Sequence, residues 1–118
     1  MYSSQQADAF TDLNMVYLDD MDKYKDWSLQ VKTKLEREQL WDITEGTDEP
    51  PRDENDAAAY KAWSDKNFNA FKVIRSSCKD RFNFAIEEFS SAKIAWDILV
   101  AICSLPKSKL HRYLYISL

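Results

Sequence analysis

Apolar residues recur every three or four positions in the segment that follows residue 23. The series is Tyr24, Trp27, Val31 and Leu35. A helix brings such positions onto one side, and charged residues of the stretch 32–38 fall on the other, so the pattern predicts a strongly amphipathic helix. This helix is predicted to end near Leu40 and Trp41, because Thr44 and Gly46 follow.

The longest predicted helix begins at an N-terminal cap supplied by Asn55 or Asp56. Its apolar seam continues for more than four turns. The seam consists of Tyr60, Trp63, Asn67, Ala70 or Phe71, Ile74 and Cys78.

Three shorter helices are predicted on either side of these two. The first covers residues 3–18, on the spacing of Phe10, Leu13 and Val16 or Tyr17. A second carries Phe82, Ala85 or Ile86, and Phe89. A third is capped by Ser90 or Ser91, ends before Pro106 and presents Ala92, Ala95 or Trp96, Leu99, and Ile102 or Cys103.

The segment 45–56 interrupts the helical pattern. It holds six acidic residues, one arginine, two adjacent prolines and the only glycine of the chain. Such a composition predicts an extended loop exposed to water. We interpret its acids as a solvated surface rather than a calcium site, because Gly46 precedes the acids instead of lying among them. The acids Asp19, Asp20 and Asp22 are likewise interpreted as a solvated connector.

Composition restricts the fold and the chemistry. A chain of 118 residues with 45% hydrophobic and 14% aromatic residues is long enough for one domain with a packed core, over residues 1–118. One glycine and three prolines are too few for a strand-rich fold or a glycine-rich phosphate loop, so we expect an all-α bundle of about five helices. The net charge of −4 has the wrong sign for a dedicated nucleic-acid-binding domain.

Few residues offer catalytic or metal chemistry. His111 is the only histidine, and Cys78 and Cys103 fall on apolar positions where a thiol acts as a small hydrophobe. We therefore expect no enzyme activity, cofactor, metal or small-molecule substrate. Two cysteines cannot build a disulfide framework, and no leader or membrane-spanning run is evident, which favours a cytoplasmic location without membrane contact.

The stretch 107–118 is basic and contains no acidic residue. Its spacing is compatible with a helix that packs Leu110, Leu114 and Leu118, and equally with a strand. Its charges and rings are the candidate contacts for a partner protein or, with weaker support, for RNA. These candidates are Lys107, Lys109, Arg112, Tyr113 and Tyr115.

The order of the aromatic motifs resembles the N-terminal, capsid-like region of copia-type LTR retrotransposon Gag polyproteins. The resemblance covers residues 18–103. It rests on Tyr24-x-x-Trp27, on Leu40-Trp41, on Trp63 followed by Asn67 and Ala70, and on Ser91-Ala92-Lys93 followed by Ala95-Trp96.

The resemblance implies a helical capsid-type domain of the retroviral N-terminal-lobe kind. Its function would be structural: many copies would self-associate into oligomers or a particle shell around the RNA of the element. The stretch 104–118 departs from the family pattern, and neither further capsid helices nor a zinc knuckle follows it. Two interpretations therefore remain open. The chain is either a capsid lobe on its own, or a truncated or domesticated Gag product that acts as an adaptor in monomeric or dimeric form.

The aromatic residues of the motifs are expected to be structural. A substitution of Trp63 by alanine would cost about 3–5 kcal/mol if that side chain were fully buried. The predicted core consists of Tyr24, Trp27, Val31, Leu35, Leu40, Trp41, Trp63, Ala70, Ile74, Ile86, Trp96 and Leu99.

Overall fold

A computed structural model describes residues 15–53 and 55–104 of the chain. This part consists of a 3₁₀ turn, Met21–Lys23, and five α-helices, with no β-strand, which confirms the prediction of an all-α bundle. The helices are α1 (Tyr24–Arg37), α2 (Trp41–Glu45), α3 (Ala57–Ser76), α4 (Asp80–Ile86) and α5 (Ala92–Cys103).

Helix α1 buries the predicted positions Trp27, Val31 and Leu35, but it ends earlier than its pattern predicts. Gln39 adopts a left-handed conformation with φ 62°, and its N–H donates to the carbonyl of Glu36 while the N–H of Leu40 donates to that of Leu35. These two bonds form the motif that usually ends a helix at glycine. The predicted end near Leu40 and Trp41 is therefore wrong, because a glutamine performs the turn.

Helix α2 starts directly after this turn and directs Ile43 and Thr44 into the interior. It ends at Gly46, whose φ of 101° is a conformation that side chains with a Cβ rarely adopt. A Cβ at this position would also lie 2.6 Å from Cε of Lys93. The glycine thus allows α2 to stop beside the first turn of α5, and the predicted loop follows.

Helix α3 begins as predicted, because Oδ1 of Asp56 accepts a hydrogen bond from the N–H of Ala59. The predicted seam is correct only for the C-terminal part of the helix. Its four buried residues are Ala70, Phe71, Val73 and Ile74. Tyr60, at the other end of the seam, remains 49% exposed, since no described element covers that end of α3 on this side.

The predicted first helix lies mainly outside the described residues. Its last part, residues 15–18, is not helical. Leu18 is fully buried and forms a bridge to Cys78, with its N–H donating to the carbonyl of Ser77 and its carbonyl accepting from Lys79. The backbone of Leu18 is therefore satisfied by the bend after α3, and the N–H of Val16 donates to Oε1 of Gln30 in α1, rather than to a helix of their own.

Helices α4 and α5 complete the bundle. Helix α4 ends at Ile86, so Phe89 lies beyond it, and Cys78 lies in the bend after α3 rather than on a helix. Oγ of Ser91 caps α5 by accepting from the N–H of Ile94, as predicted. Helix α5 buries four residues and packs against α2, α3 and α4, so it forms the centre of the core.

Candidate interaction surfaces

A cluster of aromatic rings holds α1, α2 and α5 together. The ring of Trp27 stacks on that of Trp96 with centroids 5.2 Å apart, and Trp41 meets Trp96 edge-on at the same distance. Tyr24 lies 5.9 Å from Trp27, and Nζ of Lys32 lies 5.0 Å from the ring centre of Trp41. Trp27 is fully buried, whereas the other three rings are half-buried. The cluster is part of the core and closes it at one surface.

Trp27 also forms a buried hydrogen bond that periodicity does not reveal. Its Nε1–H donates to Oγ of Ser77 at 2.8 Å, and this hydroxyl donates to the carbonyl of Ile74 at 2.7 Å. Ser77 is fully buried, and both bonds satisfy its hydroxyl. The pair fixes the start of α1 against the end of α3.

Trp63 anchors the acidic loop to α3. Its Nε1–H donates to the carbonyl of Asp48 at 3.0 Å, and Nζ of Lys66 forms an ion pair with Oδ2 of Asp48 at 2.9 Å. The ring is half-buried, so the condition of full burial for a loss of about 3–5 kcal/mol is not met. The exposed loop is therefore tied to the helix at one point.

Replacement of Trp63 by phenylalanine is expected to reduce the free energy of unfolding by about 1 kcal/mol, the value of one hydrogen bond. Replacement by alanine adds the loss of a half-buried ring, for about 2 kcal/mol in total, less than a fully buried tryptophan would lose. Urea unfolding followed by circular dichroism measures both. Equal losses for the two variants would mean that the ring contributes nothing beyond its hydrogen bond.

Both cysteines are free, and burial disfavours their charged forms. Burial raises the pKa of the Cys78 thiol to about 12 and that of the Cys103 thiol to about 11. A nucleophilic cysteine requires a lowered pKa, so the environment of these two thiols opposes thiolate chemistry near neutral pH.

Acidic side chains of the stretch 19–22 serve local structure. Asp20 accepts from the N–H of Asp22, and Asp19 pairs with Lys23 at 3.0 Å. Within residues 15–53 and 55–104, no three histidine, cysteine or acidic side chains converge so that they could hold a metal ion. In the same part of the chain, no helix has both the length and the apolar character that a bilayer span requires.

The candidate contacts of the basic tail, from Lys107 to Tyr115, lie outside the described residues, as does His111. The surface that is described carries a feature which the sequence pattern does not predict. Five large hydrophobic side chains are 46–59% exposed, namely Leu29, Tyr60, Phe68, Phe84 and Ile94.

Leu29 lies in a shallow groove beside α1. The groove has a volume of about 370 Å³ and combines apolar with basic side chains. It is lined by Met15, Leu29, Gln30, Thr33, Lys34 and Arg37. Its chemistry suits an apolar segment that also carries a negative charge.

Comparison with known proteins returned no match. No family model, no curated protein and no solved structure is significantly similar to this chain. The aromatic cluster, the anchored loop and the exposed apolar residues are therefore interpreted from their own chemistry.

Proposed function

We propose that this chain is a non-enzymatic structural domain that associates with further copies of itself. The observation that carries the proposal is the exposure of Leu29, Tyr60, Phe68, Phe84 and Ile94. Such side chains are common singly on protein surfaces, but Tyr60 and Phe68 lie about two turns apart along one side of α3, and the other three lie on three further helices.

The distribution favours assembly over a closed pair. A symmetric dimer needs one self-complementary patch, whereas a shell or larger oligomer needs each copy to contact its neighbours through several different faces. Apolar residues on α1, α3, α4 and α5 supply several such faces. The resemblance to copia-type Gag capsids supports the same function, and the free thiols of Cys78 and Cys103 favour a reducing, cytoplasmic site of assembly.

The groove beside Leu29 favours a second function, that of an adaptor derived from Gag. Arg37 at its edge would attract a peptide with acidic and apolar residues, which would dock alongside α1, whereas Lys34 already pairs with Glu38 at 2.8 Å. In this case a monomer or closed dimer of the chain would be the functional form.

Light scattering coupled to size-exclusion chromatography distinguishes these functions. Under the assembly proposal, the mass of the purified chain rises beyond that of a dimer as concentration increases, and electron microscopy of the largest fraction shows regular particles. Because apolar contacts persist in salt while exposed ion pairs are screened, we expect the mass to be retained at high ionic strength. A mass that stays at that of a monomer or dimer over the whole series would contradict assembly and leave the adaptor.

A further inference from the structure

The N-terminal part of α3 lacks a partner on most of its surface. None of residues 57–69 is buried, whereas residues 70–76 of the same helix include four buried side chains. Contacts on one side come from the acidic loop, through Trp63 and Lys66. The hydrogen bonds of Asn67 to Ser90 and Ala92 tie the helix to the start of α5.

A stripe of two exposed aromatic side chains with a serine between them follows the open side of this part of the helix. It consists of Tyr60, Ser64 and Phe68, which occur at intervals of four residues and therefore lie one turn apart along one side. Tyr60 and Phe68 are 49% and 54% exposed. Ser64 between them is small enough to let another helix come close. We call these three residues the α3 stripe.

The two ends of the helix carry opposite charges. Asp53 precedes the helix and Asp56 caps its first turn. Each uses one carboxylate oxygen to accept a hydrogen bond from a backbone N–H. Lys72 and Arg75 lie near its last turn and form no ion pair with a residue of the described ranges; Nζ of Lys72 lies 4.9 Å from the ring centre of Phe68. Two such helices complement each other when they run in opposite directions, because each acidic end then meets a basic end.

We propose that α3 pairs with α3 of a second copy in antiparallel orientation, around a two-fold axis at Ser64. This arrangement places Tyr60 of each copy against Phe68 of the other, since both are four residues from the axis. Asp56 and Lys72 are each eight residues from it, so the acidic start of one helix lies level with the basic end of the other. The proposal rests on the proposed self-association and specifies one of its contact faces.

Cross-linking through an introduced cysteine tests the axis. Packed helices with axes about 8–10 Å apart bring two facing Cα atoms within the ~4.4–6.8 Å that a disulfide spans. A Ser64→Cys variant in a Cys103→Ser background is therefore expected to form a covalent dimer under mild oxidation, at twice the mass on a non-reducing gel. The buried Cys78 stays in place in all variants.

The matched control is Ala62→Cys in the same background. Ala62 is exposed on the same helix but about 160° around it from Ser64, so its thiols face away from each other across the proposed axis. Equal cross-linking of both variants, or none in the Ser64→Cys variant, would overturn the pairing. Circular dichroism identifies any variant that does not fold.

Light scattering of Phe68→Glu separates this inference from the broader proposal. A glutamate at this exposed position faces the α3 stripe of the partner, and we expect association to weaken about tenfold or more while the fold remains. If the wild type self-associates and the Phe68→Glu variant does so with the same affinity, the α3 pairing is refuted but self-association is not. A wild-type chain that stays monomeric at every concentration would refute both.

Discussion

Replacing Trp27 by alanine is expected to remove about 3–5 kcal/mol from the free energy of unfolding, a large part of the total. The side chain is fully buried, stacks on Trp96 at 5.2 Å and donates a buried hydrogen bond to Ser77 at 2.8 Å. Loss of a buried tryptophan costs about 3–5 kcal/mol, while a small domain has only about 5–15 kcal/mol of stability in total. Urea unfolding followed by circular dichroism should show a transition shifted to a much lower urea concentration.

A double-mutant cycle divides this effect between ring and hydrogen bond. Trp27→Phe keeps most of the apolar volume but leaves Oγ of Ser77 without its buried donor, whereas Ser77→Ala removes the acceptor. Each single variant and the double variant lose part of the free energy of unfolding. Since the two groups interact directly, the sum of the two single losses should exceed the loss in the double variant by about 1 kcal/mol. Additive losses would mean that the bond contributes nothing to stability. A Trp27→Ala protein as stable as the wild type would contradict the placement of this residue at the centre of the core.

Periodicity in the sequence predicts most of the helical content but not what joins the helices. Trp27, Val31 and Leu35 follow a three-to-four spacing and are buried, since a single helix suffices to bring them together. Ser77 is separated from Trp27 by 50 residues, and its role depends on the packing of α1 against the bend after α3. No local pattern contains such a contact.

Two departures from the predicted elements have local causes. Helix α1 ends three residues before the predicted Leu40, because Gln39 adopts the left-handed conformation. The burial of Leu40, directly before α2, and of Ile43 within α2 compensates for the steric cost of this conformation. Leu18 ends a stretch with helical spacing, yet its backbone bonds to Ser77 and Lys79. In both cases a tertiary contact outweighs local propensity.

The surface is less predictable than the core, since spacing shows which side of a helix is apolar but not whether another element covers it. The seam of α3 illustrates this limit: Ile74 is buried by α5 and its neighbours, while Tyr60 on the same seam stays exposed. The proposed α3 pairing follows from this difference. Of the uncovered part of the seam, Trp63 and Asn67 contact the acidic loop and the start of α5, and Tyr60 is the residue that also belongs to the α3 stripe.

Raising the pH above about 9 is expected to destabilise the protein through its buried thiol. Cys78 loses its proton at an ordinary pKa of 9.0 when unfolded, but burial raises this pKa to about 12 in the folded state. Below pH 9 the thiol is protonated in both states and its contribution to stability is complete. Between these pKa values the unfolded chain releases the proton first, so the free energy of unfolding falls by roughly 1 kcal/mol per pH unit.

Urea unfolding at a series of pH values from about 8 to about 10.5 measures this slope, with Cys78→Ala as the matched control. The substitution lowers stability at every pH because it leaves a small cavity, so the comparison concerns the pH dependence rather than the absolute value. Cys103, whose pKa is raised in the same direction, remains in both proteins. The wild type should lose stability more steeply with pH than Cys78→Ala, because only the wild type must also keep a proton on the buried sulfur of residue 78 while its unfolded chain releases one. Parallel curves would show that the thiol of Cys78 is accessible to water in the folded state, which contradicts its position beneath Leu18 in the bend that closes α3.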